Sequence, residues 1–131
     1  MENFPGVSSP FLTAAVFHEA PKTFSETTFD NGNAATGEDQ IAILSTCFKE
    51  IVHLHLKEWE RSALPAERTR RMLDGAFHRA ALIGEGVVDS RATLQELERS
   101  SYTGFVNIEC EGSEYRADEA VKKALEFLRG E

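Results

Sequence analysis

Acidic and imidazole side chains come at or near the ends of three separate apolar stretches, where they could bind a metal ion. Asp30 ends the stretch TFD and Glu109 ends FVNIE, while His53 and His55 alternate within IVHLHL. Carboxylates combined with one imidazole suit a single divalent ion such as Mn²⁺, Co²⁺, Zn²⁺ or Mg²⁺. Such an ion polarises hydroxyl and carbonyl oxygens, so that a glutamate can remove a proton from the carbon between them. These residue types therefore indicate metal-assisted proton transfer on a hydroxylated carbonyl compound.

Each of these residues also has a purely structural explanation. Asp30 is followed by Asn31-Gly32-Asn33, which is typical of a turn. A single histidine in an apolar strand is more often a core residue that bonds to a backbone carbonyl. Glu109 is harder to explain in this way, because a buried acid needs a partner. The spacing does not distinguish His53 from His55, since both point to the same side of a strand.

Three strands are predicted to carry these residues. Residues 23–30 are rich in Thr and Phe, residues 51–56 are β-branched and apolar, and residues 104–110 form a third short apolar stretch. Residues 57–83 are a long polar connection, in which a short helix is predicted at 65–72. A connection of this length is usually functional or disordered.

Helices are predicted between these strands. One begins at Pro10, a second spans residues 38–50, a third follows Asp89 as its cap, and a fourth runs from a cap at Asp118 to Gly130. Strands that alternate with helices form parallel sheets, and in a parallel barrel the functional groups lie at the carboxyl ends of the strands. We therefore expect an α/β fold whose three strand ends bring the candidate ligands together.

Charge and hydropathy argue against several kinds of partner. The 131 residues carry a net charge of −8, whereas proteins that bind nucleic acid neutralise phosphates with Lys and Arg. No apolar run approaches the roughly 20 residues of a membrane helix, and the first residues do not resemble a secretory signal, so the expected location is the cytoplasm. One basic cluster, Arg68-Thr69-Arg70-Arg71, is explained equally well by a solvated loop or by a ligand that carries phosphate.

Four segments in this order resemble the sugar-phosphate isomerase/epimerase family, the xylose isomerase-like TIM barrels. They are TFDNGN, IVHLHLKEW, LIGEGVVD and SYTGFVNIECEG, and the resemblance covers residues 26–129. It implies that residues 1–131 are the C-terminal part of a (β/α)₈ barrel, with about three parallel strands and flanking helices. A complete barrel has eight strands and about 250 residues. We therefore expect the chain to be a fragment or one half of a split barrel, which would need its upstream strands.

The resemblance also implies a ligand set. Family members bind one divalent metal ion through a Glu, an Asp, a His and a Glu at the ends of the last four strands. Asp30, His55 and Glu109 correspond to the last three, and Glu109 also corresponds to an acid/base. Glu2, in Met1-Glu2-Asn3, is the candidate for the first ligand and the other acid/base. The implied cofactor is therefore one Mn, Co, Zn or Mg ion.

Substrate contacts are implied for three further residues. Arg61 and Lys57 correspond to positions near the substrate, and Asn33 stands where many epimerases have a substrate-binding histidine. The expected function is therefore isomerisation or epimerisation of a small sugar or polyol, with no nucleic-acid or membrane partner. One alternative is a non-catalytic barrel fragment that self-associates or needs a chain with the N-terminal strands. Another is an endonuclease IV-like phosphodiesterase, which the acidic charge disfavours.

Overall fold

Strands and helices alternate through the residues that the structure describes, which are 27–112 and 114–130. The elements in this computed structural model are, in chain order, β1 (Thr27–Asp30), α1 (Asn31–Ala35), α2 (Gln40–Cys47), β2 (Ile51–Leu56), β3 (Trp59–Ser62), β4 (Arg70–Arg71), β5 (Phe77–Ala80), α3 (Ser90–Arg99), β6 (Phe105–Ile108) and α4 (Ala117–Arg129). The helix predicted from Pro10 and the candidate ligand Glu2 lie outside the described residues.

The three predicted strands pair in parallel and form one sheet in the order β1-β2-β6. Asp30 pairs with His55 across β1 and β2, and His55 pairs with Asn107 across β2 and β6. Parallel strands require helical crossovers, which α2 and α3 supply. The predicted α/β fold with three parallel strands and flanking helices is therefore confirmed, and the strand ends lie at one edge of the sheet.

The helix ends agree with the sequence in two places and differ in one. Asp89 caps α3 by accepting a hydrogen bond from a first-turn N–H, and Gly130 ends α4 with a φ of 77°. The prediction that Asp118 caps α4 is wrong, because the helix begins at Ala117 and its capping residue is Arg116. An acid within the first turn favours the helix dipole too, so the pattern does not fix the first residue. None of the described helices is long and apolar enough to cross a membrane.

The connection between β2 and α3 forms a second, antiparallel sheet in the order β3-β5-β4. The short helix predicted at 65–72 is wrong, since β4 lies in that range and Arg68 has a φ of 69°, which a right-handed helix excludes. Residues 57–83 are therefore an ordered hairpin sheet rather than an irregular loop.

Two apolar clusters hold these sheets in place. The larger one lies between the parallel sheet and its helices and includes Phe29, Ile43, Leu44, Leu54, Leu56 and Ala124. The smaller one, Trp59, Met72 and Val88, lies under the hairpin sheet. Each fully buried Leu, Ile or Phe contributes about 1.5–3 kcal/mol to stability. Only residues 57 and 58 separate β2 from β3. Leu56 lies in the larger cluster and Trp59 in the smaller one, so the chain is anchored on each side of the carboxyl end of β2.

The edge strand β6 presents apolar side chains to solvent. Phe105 is 78% exposed and Val106 is 40% exposed. An edge strand with exposed apolar side chains can pair with further strands. The expected self-association or complementing chain depends on this feature and stays a prediction.

Candidate metal centre

The three candidate ligands lie together at the carboxyl ends of the parallel strands. Asp30 ends β1, His55 is the penultimate residue of β2, and Glu109 directly follows β6, where its N–H donates to the Leu56 carbonyl over 2.9 Å. One ligand atom from each of the three lies within 4.8 Å of the other two. The Nδ1 atom of His55 is 2.8 Å from Oε2 of Glu109. The sheet register alone thus brings together residues that are up to 79 positions apart.

Asp30 is fully buried and has a different partner at each oxygen. Oδ1 accepts a hydrogen bond from the N–H of Asn33 over 2.8 Å, so the predicted turn at 31–33 begins the short helix α1 instead. Oδ2 is 3.4 Å from Nζ of Lys57. Burial outweighs the attraction of Lys57 and raises the pKa of Asp30 from 3.8 to about 7. A divalent ion must therefore compete with a proton at this carboxyl group.

Lys57 is the buried cation of the site. Its Nζ is 2.9 Å from Oε1 of Glu109 and 2.6 Å from Oε1 of Glu111. Burial opposes the ammonium form, but the surrounding carboxylates, first among them Asp30, offset it and raise the pKa of Lys57. Burial alone would raise the pKa of Glu109, but its hydrogen bond to Lys57 and the charge of Lys57 lower it. Glu109 is therefore held as a carboxylate.

Glu111 was not identified from the sequence. Its signal is the alternate spacing from Glu109, because alternate residues of an extended chain share a side. Lys57 was predicted as a substrate contact, and that role stays a prediction. What the structure adds is that its ammonium contacts carboxylates of two strand ends.

The backbone of α1 lies close to the end of β2 and fixes Lys57. The side-chain Oδ1 of Asn31 accepts a hydrogen bond from the N–H of Lys57 over 2.8 Å. A Cβ atom at Gly32 would lie 2.9 Å from the carbonyl oxygen of Lys57, so only glycine allows this approach without a shift. The Asn-Gly pair therefore joins two strand ends as well as turning the chain.

His55, rather than His53, belongs to the group of three potential ligands among the described residues. The two imidazole rings touch edge to face, with ring centroids 4.9 Å apart. The spacing alone did not distinguish His53 from His55 as the candidate ligand. The geometry favours His55, because His53 lies two residues farther from the carboxyl end of β2.

Glu58 organises the loop before α3 and was also missed from the sequence. Its Oε1 accepts hydrogen bonds from the N–H groups of Trp59 over 3.1 Å and Val88 over 2.8 Å. Its Oε2 accepts one from Gly84 over 3.0 Å. Burial outweighs these donors and raises the pKa of Glu58. A Cβ atom at Gly86 would overlap the carbonyl oxygen of Trp59, so this loop is fitted closely to the end of the strand pair.

The remaining predicted site residues lie in different places. Arg61 is on β3, and its guanidinium is 3.0 Å from Oδ2 of Asp74. Asn33 is buried in α1 beside Asp30. The substrate contacts of Arg61 and Asn33 stay predictions, and Glu2 is outside the described residues.

The donor set fits a single divalent ion. Two carboxylates and one imidazole are the ligand types that Mn²⁺, Zn²⁺ and related ions accept. One ligand atom from each of Asp30, His55 and Glu109 lies within 4.8 Å of the others, so these three side chains could hold one ion together. A bound ion would add Lewis-acid polarisation of substrate oxygens.

Comparisons with known proteins agree on one family. A model of the xylose isomerase-like TIM barrel matches residues 2–131. The chain is 27% identical to an inosose dehydratase from Mesomycoplasma hyopneumoniae, an alignment that covers 95% of this chain and 44% of that protein. It is 32% identical to the rhizopine catabolism protein MocC from Rhizobium meliloti, over 63% of this chain and 27% of that protein. The chain thus spans less than half the length of these curated relatives.

Solved structures show the same fold. A xylose isomerase domain protein from Planctomyces limnophilus superposes with a TM-score of 0.71 at 21% identity, covering 98% of this chain and 42% of that one. A D-tagatose 3-epimerase-like protein gives a TM-score of 0.66 at 21% identity, covering 98% and 44%. The described elements therefore correspond to part of a TIM barrel.

Proposed function

The chain belongs to the xylose isomerase-like TIM-barrel family, and we propose that its protein is a divalent-metal-dependent isomerase or epimerase of a sugar or related polyol. The observation that carries the proposal is the convergence of Asp30, His55 and Glu109 within 4.8 Å at three strand ends. The family and the relatives named above support a sugar-modifying enzyme, and a cytoplasmic location stays a prediction. Since the chain spans less than half of those relatives, the activity is proposed for the whole protein.

Each residue has a distinct role in this proposal. Asp30, His55 and Glu109 would hold the ion, and a bound ion would polarise a carbonyl and its neighbouring hydroxyl. Glu109 accepts the proton from the carbon between those two groups, because its contact with Lys57 keeps it ionised. Return of the proton to the neighbouring carbon, with transfer of the hydroxyl proton to the former carbonyl oxygen, gives isomerisation. Return of the proton to the opposite face of the same carbon gives epimerisation.

Glu2 and the substrate contacts complete the proposal. We assign Glu2 as the fourth ligand and the acid/base on the opposite face, on the basis of the family resemblance. Arg61 and Asn33 are assigned to substrate hydroxyl groups on the same basis. Lys57 can donate a hydrogen bond to a substrate oxygen if it leaves one of its present carboxylate partners.

Dehydration is a second candidate, favoured by the position of Lys57 and by the similarity to an inosose dehydratase. Glu109 would take a proton from the carbon beside the carbonyl, and the hydroxyl group on the next carbon would leave as water with a proton from Lys57. The products are an unsaturated ketone and water. Glu109 and Lys57 would then exchange the proton across their 2.9 Å contact and return to their starting forms.

Deuterium exchange separates these possibilities. The protein would be incubated in D₂O with Mn²⁺ and either D-tagatose or an inosose, and the products would be analysed by mass spectrometry. After the hydroxyl groups are exchanged back in H₂O, isomerisation or epimerisation predicts one carbon-bound deuterium without loss of water, whereas dehydration predicts loss of water. Glu109→Gln should abolish both reactions, and Glu119→Gln, an exposed change on α4, should not. Absence of exchange with every ketose tested would contradict the proposal.

A further inference from the structure

A pocket of about 360 Å³ lies between the hairpin sheet and the segment that follows β6. Its lining includes Trp59, Arg70 and Arg79 from the hairpin sheet and Glu111 and Tyr115 from the later segment. The volume is in the range of small-molecule sites. Asp30, His55 and Glu109 do not line it, so among the described residues it lies beside the candidate metal centre rather than within it.

Two side chains join this pocket to the metal centre. Glu111 contacts Nζ of Lys57 through Oε1 over 2.6 Å and the guanidinium of Arg70 through Oε2 over 3.4 Å. The ring of Trp59 has its centroid 5.3 Å from the same Nζ. Because Lys57 also contacts Asp30 and Glu109, the pocket begins one side chain away from the proposed reaction site.

Three arginine side chains lie in the wall of the pocket. Arg68, Arg70 and Arg79 all line it, in a chain whose net charge is −8. Arg79 is paired with Glu60, but Arg70 is 60% exposed and, within residues 27–112 and 114–130, has one acid contact, at 3.4 Å. A guanidinium has five N–H donors, so Arg70 can bind a further oxyanion without losing that contact. The basic cluster noted in the sequence is thus part of a pocket wall.

Two aromatic side chains, Trp59 and Tyr115, also line the pocket. Trp59 is 2% exposed, and its Nε1–H has no hydrogen-bond partner among the described residues. Because this nitrogen has almost no accessible surface, Trp59 forms the floor of the pocket and senses its occupancy without a hydrogen bond to a ligand. Tyr115 is 42% exposed and supplies a second ring against which the C–H face of a polyol ring can pack.

We propose that this pocket binds a carboxylate or phosphate group on the substrate, so that the enzyme acts on an acidic sugar or polyol rather than a neutral one. The inference rests on the proposed function for the location of the reacting carbon. The oxyanion lies against Arg70, the polyol ring packs on Tyr115, and the carbonyl end points toward Lys57 and the metal centre.

Fluorescence provides a direct test, because Trp59 is the only tryptophan in the chain. The protein would be titrated with D-glucose, D-glucuronate and D-glucose 6-phosphate, which share a ring and differ at the sixth carbon. A chelator would be present, so that no probe can bind through a metal ion. Saturable changes are expected with one or both anions, at least tenfold tighter than with glucose. The tighter anion tells a carboxylate from a phosphate.

Charge variants of opposite sign make the test specific. Arg70→Met should weaken binding of the anion at least tenfold, and Glu114→Gln, which removes an exposed acid from the lining, should strengthen it. Arg129→Met, an exposed change at the end of α4, should leave binding unchanged. Equal binding of the three probes, no binding of any of them, or an unchanged affinity in Arg70→Met would overturn the proposal. Mn²⁺ binding that persists in these cases would leave the proposed function standing.

Discussion

Replacement of Asp30 by Asn removes a buried charge and keeps the local hydrogen bond. The amide oxygen can still cap α1, since Asn and Asp are about equally good caps. A pKa that rises from 3.8 to about 7 on folding corresponds to about 4 kcal/mol of destabilisation by the ionised carboxyl group at higher pH. Asp30→Asn is therefore expected to stabilise the metal-free protein by about 2–4 kcal/mol at pH 8. Lys57 keeps Glu109 and Glu111 as partners in the variant.

The sign of the pH dependence follows from the direction of this shift. Because the folded-state pKa of Asp30 is raised, the folded protein binds more protons than the unfolded chain between about pH 4 and pH 7. Below its unfolded-state pKa of 3.8, Asp30 is protonated in both states and does not lower the stability of the fold. As the pH rises through the folded-state pKa of about 7, the buried carboxyl group ionises and this stability is lost. The variant and the parent protein should thus be nearly equal in stability at about pH 4 and differ most at about pH 8.

Urea unfolding with a chelator, at pH 4.5 and pH 8, measures this difference. Asp39→Asn is the matched control, because Asp39 caps α2 in the same way but is exposed, and a change below about 0.5 kcal/mol is expected there. The same Asp30→Asn variant should bind Mn²⁺ more weakly by at least the roughly 10–100-fold typical of losing an outer partner of a metal ligand. A variant that is less stable than the parent at pH 8, or a difference that does not depend on pH, would refute the reasoning.

Two further predictions concern stability. Gly86→Ala should destabilise the protein by about 3 kcal/mol or more in urea, because the new Cβ atom overlaps the Trp59 carbonyl oxygen. Gly75→Ala should cost only about 1–2 kcal/mol, because Gly75 has a φ of 78° but open space around it. Similar values for the two variants would contradict this. Glu96→Gln should lower the urea midpoint at pH 7, because the hydrogen bonds from Arg99 lower the pKa of Glu96 to about 2. That stabilisation is present above the unfolded pKa of about 4.5 and is lost as the pH falls toward 2, so a gap that stays constant down to pH 2.5 would contradict it.

The parallel sheet and the meeting of its strand ends could be predicted from sequence. Residues 51–56 are β-branched and apolar and coincide with β2, and the acids that end TFD and FVNIE are at the carboxyl ends of β1 and β6. This succeeded because alternation of strands and helices restricts the fold to a parallel sheet, whose carboxyl ends share one edge. The parallel register then places Asp30, His55 and Glu109 close together at that edge.

The hairpin sheet and the buried charges could not be predicted in this way. Strands within residues 57–83 pair with one another, and Trp59 packs in a buried cluster with Met72 and Val88. These are tertiary interactions, which the polar composition of the segment does not reveal. Lys57 and Glu58 follow an apolar strand, where a charged pair is usually exposed to solvent. Their burial is therefore not visible in the sequence. Their opposite environments, carboxylates around one and backbone N–H groups around the other, exist only when three separate segments fold together.

Isothermal calorimetry with Mn²⁺ tests the central claim most directly. The purified protein would be titrated at pH 8 beside His55→Ala, Glu109→Ala and, as the matched control on the same strand face, His53→Ala. Saturable binding of one ion per chain is expected, lost in His55→Ala and Glu109→Ala and kept in His53→Ala. Binding that survives both ligand substitutions, or no saturable binding by the parent protein, would contradict it.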